Sequence, residues 1–242
     1  VFSVDGLIVE FSYINKDDGK DIICVPCQTM CAVGCKFCHT VEYLGIIPVK
    51  NISGDIIAKG VKYIIDDQKL VKNNRTLLVS YMGCGEPLLN LKGVKHSMIY
   101  IKKFEELGIP YVRFAIATCL PRSAWTKFYE LTKFINDEKL PVKIHLSLHY
   151  TMDSIRKEWM PNSLDILSSL ASMDFYRKLT GNNVEIHYAL IDGVNDTEQD
   201  AILLSNFLKD SSFNVKFLEI TIIFDKTSSV NKLGNFFLVL EI

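Results

Sequence analysis

The sequence predicts an α/β fold, a partial (β/α)6 TIM-like barrel preceded by a short N-terminal β-hairpin. Segments with strand character alternate with helical segments along most of the chain, which favours a parallel sheet with helices outside it. With 242 residues and 48% hydrophobic residues, the chain can bury one full core and lies within the size range of a single α/β domain.

The N-terminal residues predict the hairpin. Residues 1–14 alternate around Asp5-Gly6, and a second turn signal, Asp-Asp-Gly, follows at residues 17–19. The chain then enters the first barrel strand, predicted at residues 21–26. We therefore expect two parts, an N-terminal extension at residues 1–20 and a core domain at residues 21–242.

The following strands and helices have recognisable boundaries. Ser53 is the predicted N-cap of a helix at residues 52–68, and Gly108 ends a helix that begins at residue 91. Pro161 interrupts helical segments between residues 153 and 179. The other predicted strands are residues 75–82, 111–118, 142–149, 183–191 and 214–223, and the other helices are residues 123–136 and 197–209.

Several of these strands are polar on one face, although fully buried parallel strands tend to be apolar on both faces. The polar residues are Arg113, Lys143, His145, Ser147, His149, Glu185 and His187. Because barrel strands alternate between interior and exterior, we expect this set to line the lumen and to form a wet, ligand-sized cavity. The alternative is that individual members lie at strand ends and pair with caps or loops.

Three cysteines in the run CAVGCKFCHT have the spacing C-x3-C-x2-C, at Cys31, Cys35 and Cys38. Three thiolates this close can hold an iron–sulfur cluster and leave one iron without a protein ligand. A structural metal site closes its coordination shell, so an open position indicates chemistry.

Two other interpretations of the cysteines were weighed. A zinc site could combine Cys24 and Cys27 with Cys35 and Cys38, but only seven residues separate the pairs, and Cys31 would be surplus. A disulfide framework would leave one of seven cysteines unpaired, and no secretory signal opens the sequence. The cysteines instead indicate a reducing compartment, and we expect a cytoplasmic protein.

Together with the segment YMGCGEPLLN at residues 81–90, these cysteines resemble the radical S-adenosylmethionine (SAM) superfamily. In that superfamily three such cysteines hold a [4Fe-4S] cluster, whose fourth iron binds SAM, and one electron cleaves SAM to a 5′-deoxyadenosyl radical. Phe37, the aromatic residue before the last cysteine, is also typical. The resemblance implies Cys31, Cys35 and Cys38 as cluster ligands and an electron donor such as flavodoxin or ferredoxin.

Four segments narrow the resemblance to the RNA adenine-C2 methyltransferases of this superfamily. The first is Cys24, which lies seven residues before Cys31. The others are GEPLLN at residues 85–90, LSLHYTMDSIRKEWMP at residues 146–161 and ALIDGVND at residues 189–196. The resemblance implies that Glu86 contacts the SAM amino group and that Ser147 and His149 lie near its ribose or carboxylate. The full implied cofactor-binding set is Phe37, Gly83, Gly85, Glu86, Pro87, Ser147, His149 and Asn195. Asn195 could instead cap the next helix.

The chain also departs from that branch. Only about twenty residues precede the cluster strand, where the branch has an RNA-binding helical domain, and no cysteine follows Cys119, where the branch has a methyl-carrying thiol. The net charge is −1, without the basic footprint of proteins that grip long RNA. Either the tail is missing from this sequence, or the chain performs other radical chemistry, and we expect the second.

A compact type within this branch, the queuosine 5′-phosphate lyase of queuine salvage, is similar in size and in its short N-terminus. We therefore expect a small nucleoside or nucleotide substrate, no membrane partner and no large RNA. The candidate catalytic residues are Cys24, His145, Glu185 and His187, and Arg113 and Lys143 are candidates to hold the 5′-phosphate.

Two other functions stay open. They are an RNA adenine-C2 methyltransferase and a non-catalytic metal-binding interaction module. Cys84 and Cys119 are expected to be small core or loop residues, and Cys27 is undecided.

Overall fold

The computed structural model describes residues 2–4, 6–71 and 74–219, and it confirms the α/β fold. The strands are β1 (Phe2–Val4), β2 (Leu7–Val9), β3 (Ser12–Lys16), β4 (Lys20–Cys24), β5 (Thr76–Tyr81), β6 (Tyr111–Thr118), β7 (Val142–Ser147), β8 (Val184–Leu190) and β9 (Asn214–Glu219). The helices are α1 (Gly54–Asp67), α2 (Leu91–Lys102), α3 (Thr126–Asp137), α4 (Asp153–Trp159), α5 (Ile166–Thr180) and α6 (Glu198–Leu208).

Seven strands form one curled sheet in the order β3-β4-β5-β6-β7-β8-β9. From β4 to β9 all neighbours are parallel, which confirms the six-stranded partial barrel. The seventh strand, β3, pairs antiparallel with β4 and extends the sheet beyond the six predicted strands. The predicted N-terminal hairpin is also present, since β1 and β2 form a separate antiparallel pair.

Local sequence explains most element boundaries. The Ser53 hydroxyl accepts a hydrogen bond from the backbone of Ile56, so Ser53 caps α1 as predicted. Gly108 adopts a left-handed conformation and ends the second helical segment, whose last turn, Lys103–Leu107, is a 3-10 helix. The last predicted strand, residues 214–223, is observed as far as Glu219, and its remainder lies outside the described residues.

The predicted strand at residues 142–149 is observed as β7 and ends two residues early, at Ser147. His149 adopts a positive φ of 59°, a conformation that a β-strand does not contain. The backbone N–H groups of Leu148 and His149 both donate to the carbonyl of His187. The chain therefore turns out of the sheet at the carboxyl end of β7.

The hydrophobic core lies between the convex face of the sheet and the helices. Ile144, Leu146 and Ile186 point towards it and are fully buried. The helices α1 and α2 pack closely, because a Cβ atom on Gly54 would lie 2.8 Å from the carbonyl oxygen of Gly93. None of the helices in the described ranges has the length and hydrophobicity that crossing a bilayer requires.

Candidate active site

The three cysteines of the C-x3-C-x2-C motif lie on a long loop that follows the carboxyl end of β4, and all three are partly buried. Two hydrogen bonds attach this loop to the region around α4. The backbone of Lys36 donates to the carbonyl of Trp159 at 2.8 Å, and the Asn162 side chain donates to the carbonyl of Val33 at 2.9 Å. The loop is therefore fixed over the carboxyl ends of the parallel strands.

The donor set of this loop fits an iron–sulfur cluster better than a single metal ion. In the described residues, one group of three potential ligand atoms from His, Cys, Asp or Glu lies within 4.8 Å of one another. The sulfur atoms of Cys31, Cys35 and Cys38 are not that group, so they are spaced more widely. Four thiolates on one zinc ion lie about 3.8 Å apart at a Zn–S distance of about 2.3 Å. The wider spacing suits separate irons of one cluster, and the thiol as donor suits iron–sulfur clusters.

A buried orphan hydroxyl lies near the same loop. The Tyr150 Oη atom is buried without a hydrogen-bond partner in the structure. Burial is the main cause that raises the pKa of Tyr150, and the nearby Cys35 side chain contributes to the rise. Tyr150 packs with Val33 and Met160 in a small apolar cluster that also contacts Cys35. An apolar wall of this kind shields a site from water on one side.

The Gly-Glu-Pro turn after β5 packs directly against the start of the cysteine loop. The carbonyl of Cys84 accepts hydrogen bonds from the backbone of Cys27 and of Gln28, at 2.9 and 3.2 Å. Gly85 has a φ of +103°, and a Cβ atom there would lie 2.8 Å from the Cys27 sulfur. A Cβ atom on Gly83 would similarly lie 2.8 Å from the Val25 backbone. Both glycines are therefore required, because the turn at residues 83–85 lies very close to the segment at residues 25–28.

Glu86 is buried at the centre of this turn. Its carboxylate accepts hydrogen bonds from the Thr118 hydroxyl at 2.7 Å and from the backbones of Leu88 and Cys119 at 3.2 Å. Burial raises the pKa of Glu86, and these hydrogen bonds oppose the rise. Pro87 follows at the first position of a 3-10 turn. The carboxylate thus joins the ends of β5 and β6, and its contact with the SAM amino group stays a prediction.

His149 lies beside the cysteine loop, with its ring edge-on to the Phe37 ring at 5.1 Å between centroids. Its Nδ1 atom accepts a hydrogen bond from the backbone of Ala189 at 3.0 Å. Burial lowers the pKa of His149 to about 3, so the imidazole is neutral at ordinary pH.

Asn195 connects the ends of β7 and β8. Its side-chain amide donates to the carbonyls of His149 and Ala189, both at 2.6 Å, and accepts from the backbone of Ile191 at 2.7 Å. The alternative that Asn195 caps the following helix is wrong, because Thr197 caps α6 through a capping box with Asp200. With most of its hydrogen bonds made inside the protein, Asn195 has little capacity left for SAM.

Arg156, which no sequence pattern singled out, is 1% exposed beneath the same strand ends. Its guanidinium donates to the carbonyls of Ser147, Leu148, Cys119 and Leu164. The Ser147 side chain is partly buried nearby. The only sequence signal was the position of Arg156 in the segment 146–161, because an arginine on a short helix looks like an exposed residue.

Five of the seven polar residues expected in the lumen border its two cavities, whereas Ser147 and His149 border neither. His145 and His187 share a small cavity of about 60 Å³ with Cys24 and Met82. His145 also lines a second, larger cavity of about 720 Å³ at the amino ends of the strands. The lining of the lumen therefore mixes polar and apolar side chains, and His145 lies where its two cavities adjoin.

The larger cavity is rich in cations. Its charged lining residues are Lys16, Asp18, Lys20, Arg113, Lys143, Glu185 and Lys216. Its volume lies within the range of small-molecule sites. The structure thus brings Arg113 and Lys143 together, although Lys143 also forms a 2.6 Å ion pair with Glu185.

No protein-family model matches the chain. The chain is 32% identical over 220 residues to a protein of Clostridioides difficile named "Probable dual-specificity RNA methyltransferase RlmN", covering 89% of this chain and 59% of that protein. A protein of the same name from Dictyoglomus thermophilum is 31% identical over 216 residues, covering 88% of this chain and 59% of that protein.

Solved structures give the same picture. A radical SAM methyltransferase from Sphaerobacter thermophilus superposes with a TM-score of 0.75 at 28% identity, covering 89% of this chain and 60% of that chain. Streptococcus suis SuiB, solved bound to S-adenosylmethionine, shares the fold with a TM-score of 0.54 at 12% identity, covering 83% of this chain and 39% of that chain. The chain spans about three-fifths of the length of the curated relatives it matches.

Proposed function

Because this chain belongs to the radical SAM superfamily, we propose that it cleaves SAM reductively and acts on a nucleotide held in the lumen of the half-barrel. The observation that carries the proposal is the position of the three motif cysteines on the loop after β4, above a lumen that holds His145 and His187. Catalytic groups of α/β folds lie at these carboxyl ends of parallel strands.

Cys31, Cys35 and Cys38 would hold the [4Fe-4S] cluster. The cluster supplies one electron to SAM, and a redox protein such as flavodoxin or ferredoxin would supply that electron. The Gly83–Gly85 backbone, Glu86 and the Phe37–His149 ring pair border the space above the lumen where SAM would bind. The remaining implied contacts, through Pro87 and Ser147, belong to the same proposal, whereas Asn195 makes its hydrogen bonds within the protein and would hold the ends of β7 and β8 in place.

For the substrate we favour queuosine 5′-phosphate and its cleavage to queuine. Five cationic side chains line the cavity at the amino ends of the strands, and a phosphate there would meet Arg113 and Lys143. A strand rises about 3.3 Å per residue, so Lys143 lies about 13 Å along β7 from Ser147. That length of lumen accommodates a nucleotide between the phosphate end and the SAM end.

His145, Glu185 and His187 lie between these two ends and are the candidates for proton transfer. Burial lowers the pKa of His145, so its imidazole is neutral and can accept a proton. Hydrogen bonds from the two histidines lower the pKa of Glu185, which stays ionised. The reaction itself would break a glycosidic bond after removal of a ribose hydrogen, and these residues would orient the sugar.

The second candidate function is methylation of RNA. Two observations favour it: the names of the relatives, and the position of Cys24 in the lumen cavity, where a catalytic thiol could reach a base. These relatives make large RNA a substrate to test, against the expectation from the charge balance. We also propose a cytoplasmic location, because all seven cysteines are free thiols.

One anaerobic assay separates these functions. Reconstituted and reduced protein is incubated with SAM and either queuosine 5′-phosphate or RNA, and 5′-deoxyadenosine, queuine and 2-methyladenosine are measured by mass spectrometry. We expect 5′-deoxyadenosine and free queuine. Formation of 2-methyladenosine without queuine would favour the second function. A protein that holds its metal with four protein ligands and yields no 5′-deoxyadenosine would be a metal-binding module, contrary to the proposal.

The variant Arg113→Gln tests the phosphate site within the same assay. We expect its KM for queuosine 5′-phosphate to rise by about 10-fold or more, because a charge-assisted hydrogen bond contributes about 1.5–3 kcal/mol. Its KM for SAM should not change. The matched control is Lys127→Gln, an exposed cation on α3. Equal KM values for the two variants would argue against a phosphate at this end of the lumen.

A further inference from the structure

Three ligand atoms from two neighbouring strands converge in the lumen. His145 Nδ1 lies 2.6 Å from His187 Nε2, and Glu185 Oε1 lies 3.2 Å from the first nitrogen and 3.1 Å from the second. His145 on β7 is paired in register with Glu185 on β8. Both strands are central in the sheet, so the triangle is built on rigid backbone.

Protons alone do not satisfy this triangle. If one nitrogen carries a proton, the lone pair of the other nitrogen faces the lone pairs of the Glu185 carboxylate. If both nitrogens carry protons and donate to Glu185 Oε1, the two N–H groups lie side by side with their nitrogens only 2.6 Å apart. If neither does, three lone pairs converge. Each arrangement leaves a repulsive contact between buried groups, whereas a central cation would pair with all three atoms.

The dimensions of the triangle fit a first-row transition metal ion. A triangle with these sides has a circumradius of about 1.7 Å, so a point about 1.1 Å above its plane lies about 2.05 Å from all three atoms, a typical metal–nitrogen distance. Two imidazoles and one carboxylate are a common donor set for zinc and for non-haem iron.

We propose that His145, Glu185 and His187 bind a divalent transition metal ion, with zinc as the first candidate, in addition to the iron–sulfur cluster. Lys143 forms a 2.6 Å ion pair with Glu185 Oε2, which leaves Oε1 as the metal ligand. This outer contact orients the carboxylate. The site is distinct from the cysteine loop, which lies at the carboxyl ends of the strands.

The metal ion would have open coordination positions. Three protein ligands leave at least one position for water or substrate. His145 borders both lumen cavities, and His187 shares the smaller one with Cys24. Water bound at this position would have a lowered pKa, and its hydroxide form would accept the proton that a free imidazole would otherwise accept.

The test measures zinc binding by the full chain after anaerobic cluster reconstitution, so that iron occupies the motif thiols. We expect one equivalent of zinc per chain beyond the iron content. His187→Ala and Glu185→Gln should each weaken zinc binding by more than about 100-fold, since loss of an outer-shell partner alone costs about 10–100-fold. Lys143→Met, which removes such a partner, should weaken it by about 10-fold. The control His96→Gln changes a half-exposed histidine on α2 and should bind zinc normally.

Cobalt distinguishes this site from the thiols. Cobalt bound by imidazole and carboxylate gives visible d–d absorption without the intense thiolate charge-transfer band. We expect that spectrum in the wild type and in the triple variant Cys31→Ser, Cys35→Ser, Cys38→Ser, whose fold is checked by circular dichroism. The proposal is overturned if wild type takes up no zinc beyond the cluster, if the His187 and Glu185 variants bind as much as wild type, or if every cobalt band is thiolate-derived.

Discussion

The Thr118 hydroxyl donates a 2.7 Å hydrogen bond to Glu86 Oε1, and both residues are buried. This contact connects the turn after β5 to the end of β6. Because Glu86 also accepts from the backbones of Leu88 and Cys119, the carboxylate fixes two loops that border the proposed cofactor site. A glutamate that looks like a ligand residue in the sequence therefore also has a structural role.

Replacing Glu86 with glutamine should destabilise the protein. One of its two acceptor oxygens becomes an NH2 group that faces other donors, and loss of buried hydrogen bonds of this kind costs about 1–3 kcal/mol. Urea unfolding monitored by circular dichroism measures the change. Glu106→Gln, at an exposed site, should shift the unfolding free energy by less than about 0.5 kcal/mol. An equally small shift for Glu86→Gln would show that the buried carboxylate contributes little.

Gly85→Ala should destabilise the protein far more than Gly181→Ala. Both glycines have positive φ, so each substitution incurs the left-handed penalty of about 1–2 kcal/mol. Only at Gly85 would the new Cβ also lie within 2.8 Å of Cys27 and Gln28, whereas nothing lies within 4 Å at Gly181. Thermal unfolding and 5′-deoxyadenosine formation are the measurements. Full SAM cleavage by Gly85→Ala would contradict the tight packing at this turn.

The cysteines should separate into two groups. Cys31→Ala, Cys35→Ala and Cys38→Ala should each abolish the iron–sulfur absorbance and 5′-deoxyadenosine formation, since each removes a ligand. Cys24→Ala should keep both, because Cys24 lies in the lumen cavity and not on the cysteine loop. Ultraviolet–visible spectra and product analysis test this. Retained activity in any of the first three variants would overturn the ligand assignment.

Cys24→Ala also distinguishes the two proposed functions. A methyl-transfer reaction that uses this thiol should stop, whereas queuine release does not require it. Mass spectrometry of both products in the same preparation makes the comparison. If Cys24→Ala loses queuine release while its cluster and SAM cleavage remain, then the thiol is a catalytic residue of the lyase reaction, and the expectation that queuine release does not require it is wrong.

Acid should destabilise the protein through His149. Its folded pKa is about 3, below the ordinary 6.5, so between these values the unfolded chain binds more protons and stability falls as pH falls. His149→Asn preserves the left-handed backbone, which asparagine tolerates. It should flatten the decline between pH 6.5 and 5 by at most about 1.4 kcal/mol per pH unit. An unchanged slope in His149→Asn would contradict the prediction.

Periodicity predicted most of the fold, and strand parity predicted part of the site. Alternation in β7 and β8 correctly placed His145 and Glu185 in the lumen, because that pattern is a local property of a strand. The division into an extension and a core stays a prediction, although β3, within the predicted extension, hydrogen-bonds to β4.

Other features depended on contacts between distant segments. Arg156 is buried because the carbonyls of several elements converge on it, and no local pattern encodes that convergence. The positive φ of His149 is equally hard to foresee, since it results from the two hydrogen bonds to His187 at the end of β7. The His145–Glu185–His187 triangle required the register between two strands that are about forty residues apart.

The curled sheet does not close on itself in the part of the chain that the structure describes. Within the described residues β3 and β9 are its two edges, and they are not hydrogen-bonded to each other. Lys16 of β3 and Asn214 of β9 nevertheless border the same cavity. A gap between these edges would give a reactant a lateral route into the cavity, separate from the side on which SAM would bind. A molecule much longer than the cavity could then insert one nucleotide through the gap while the rest of it stayed outside.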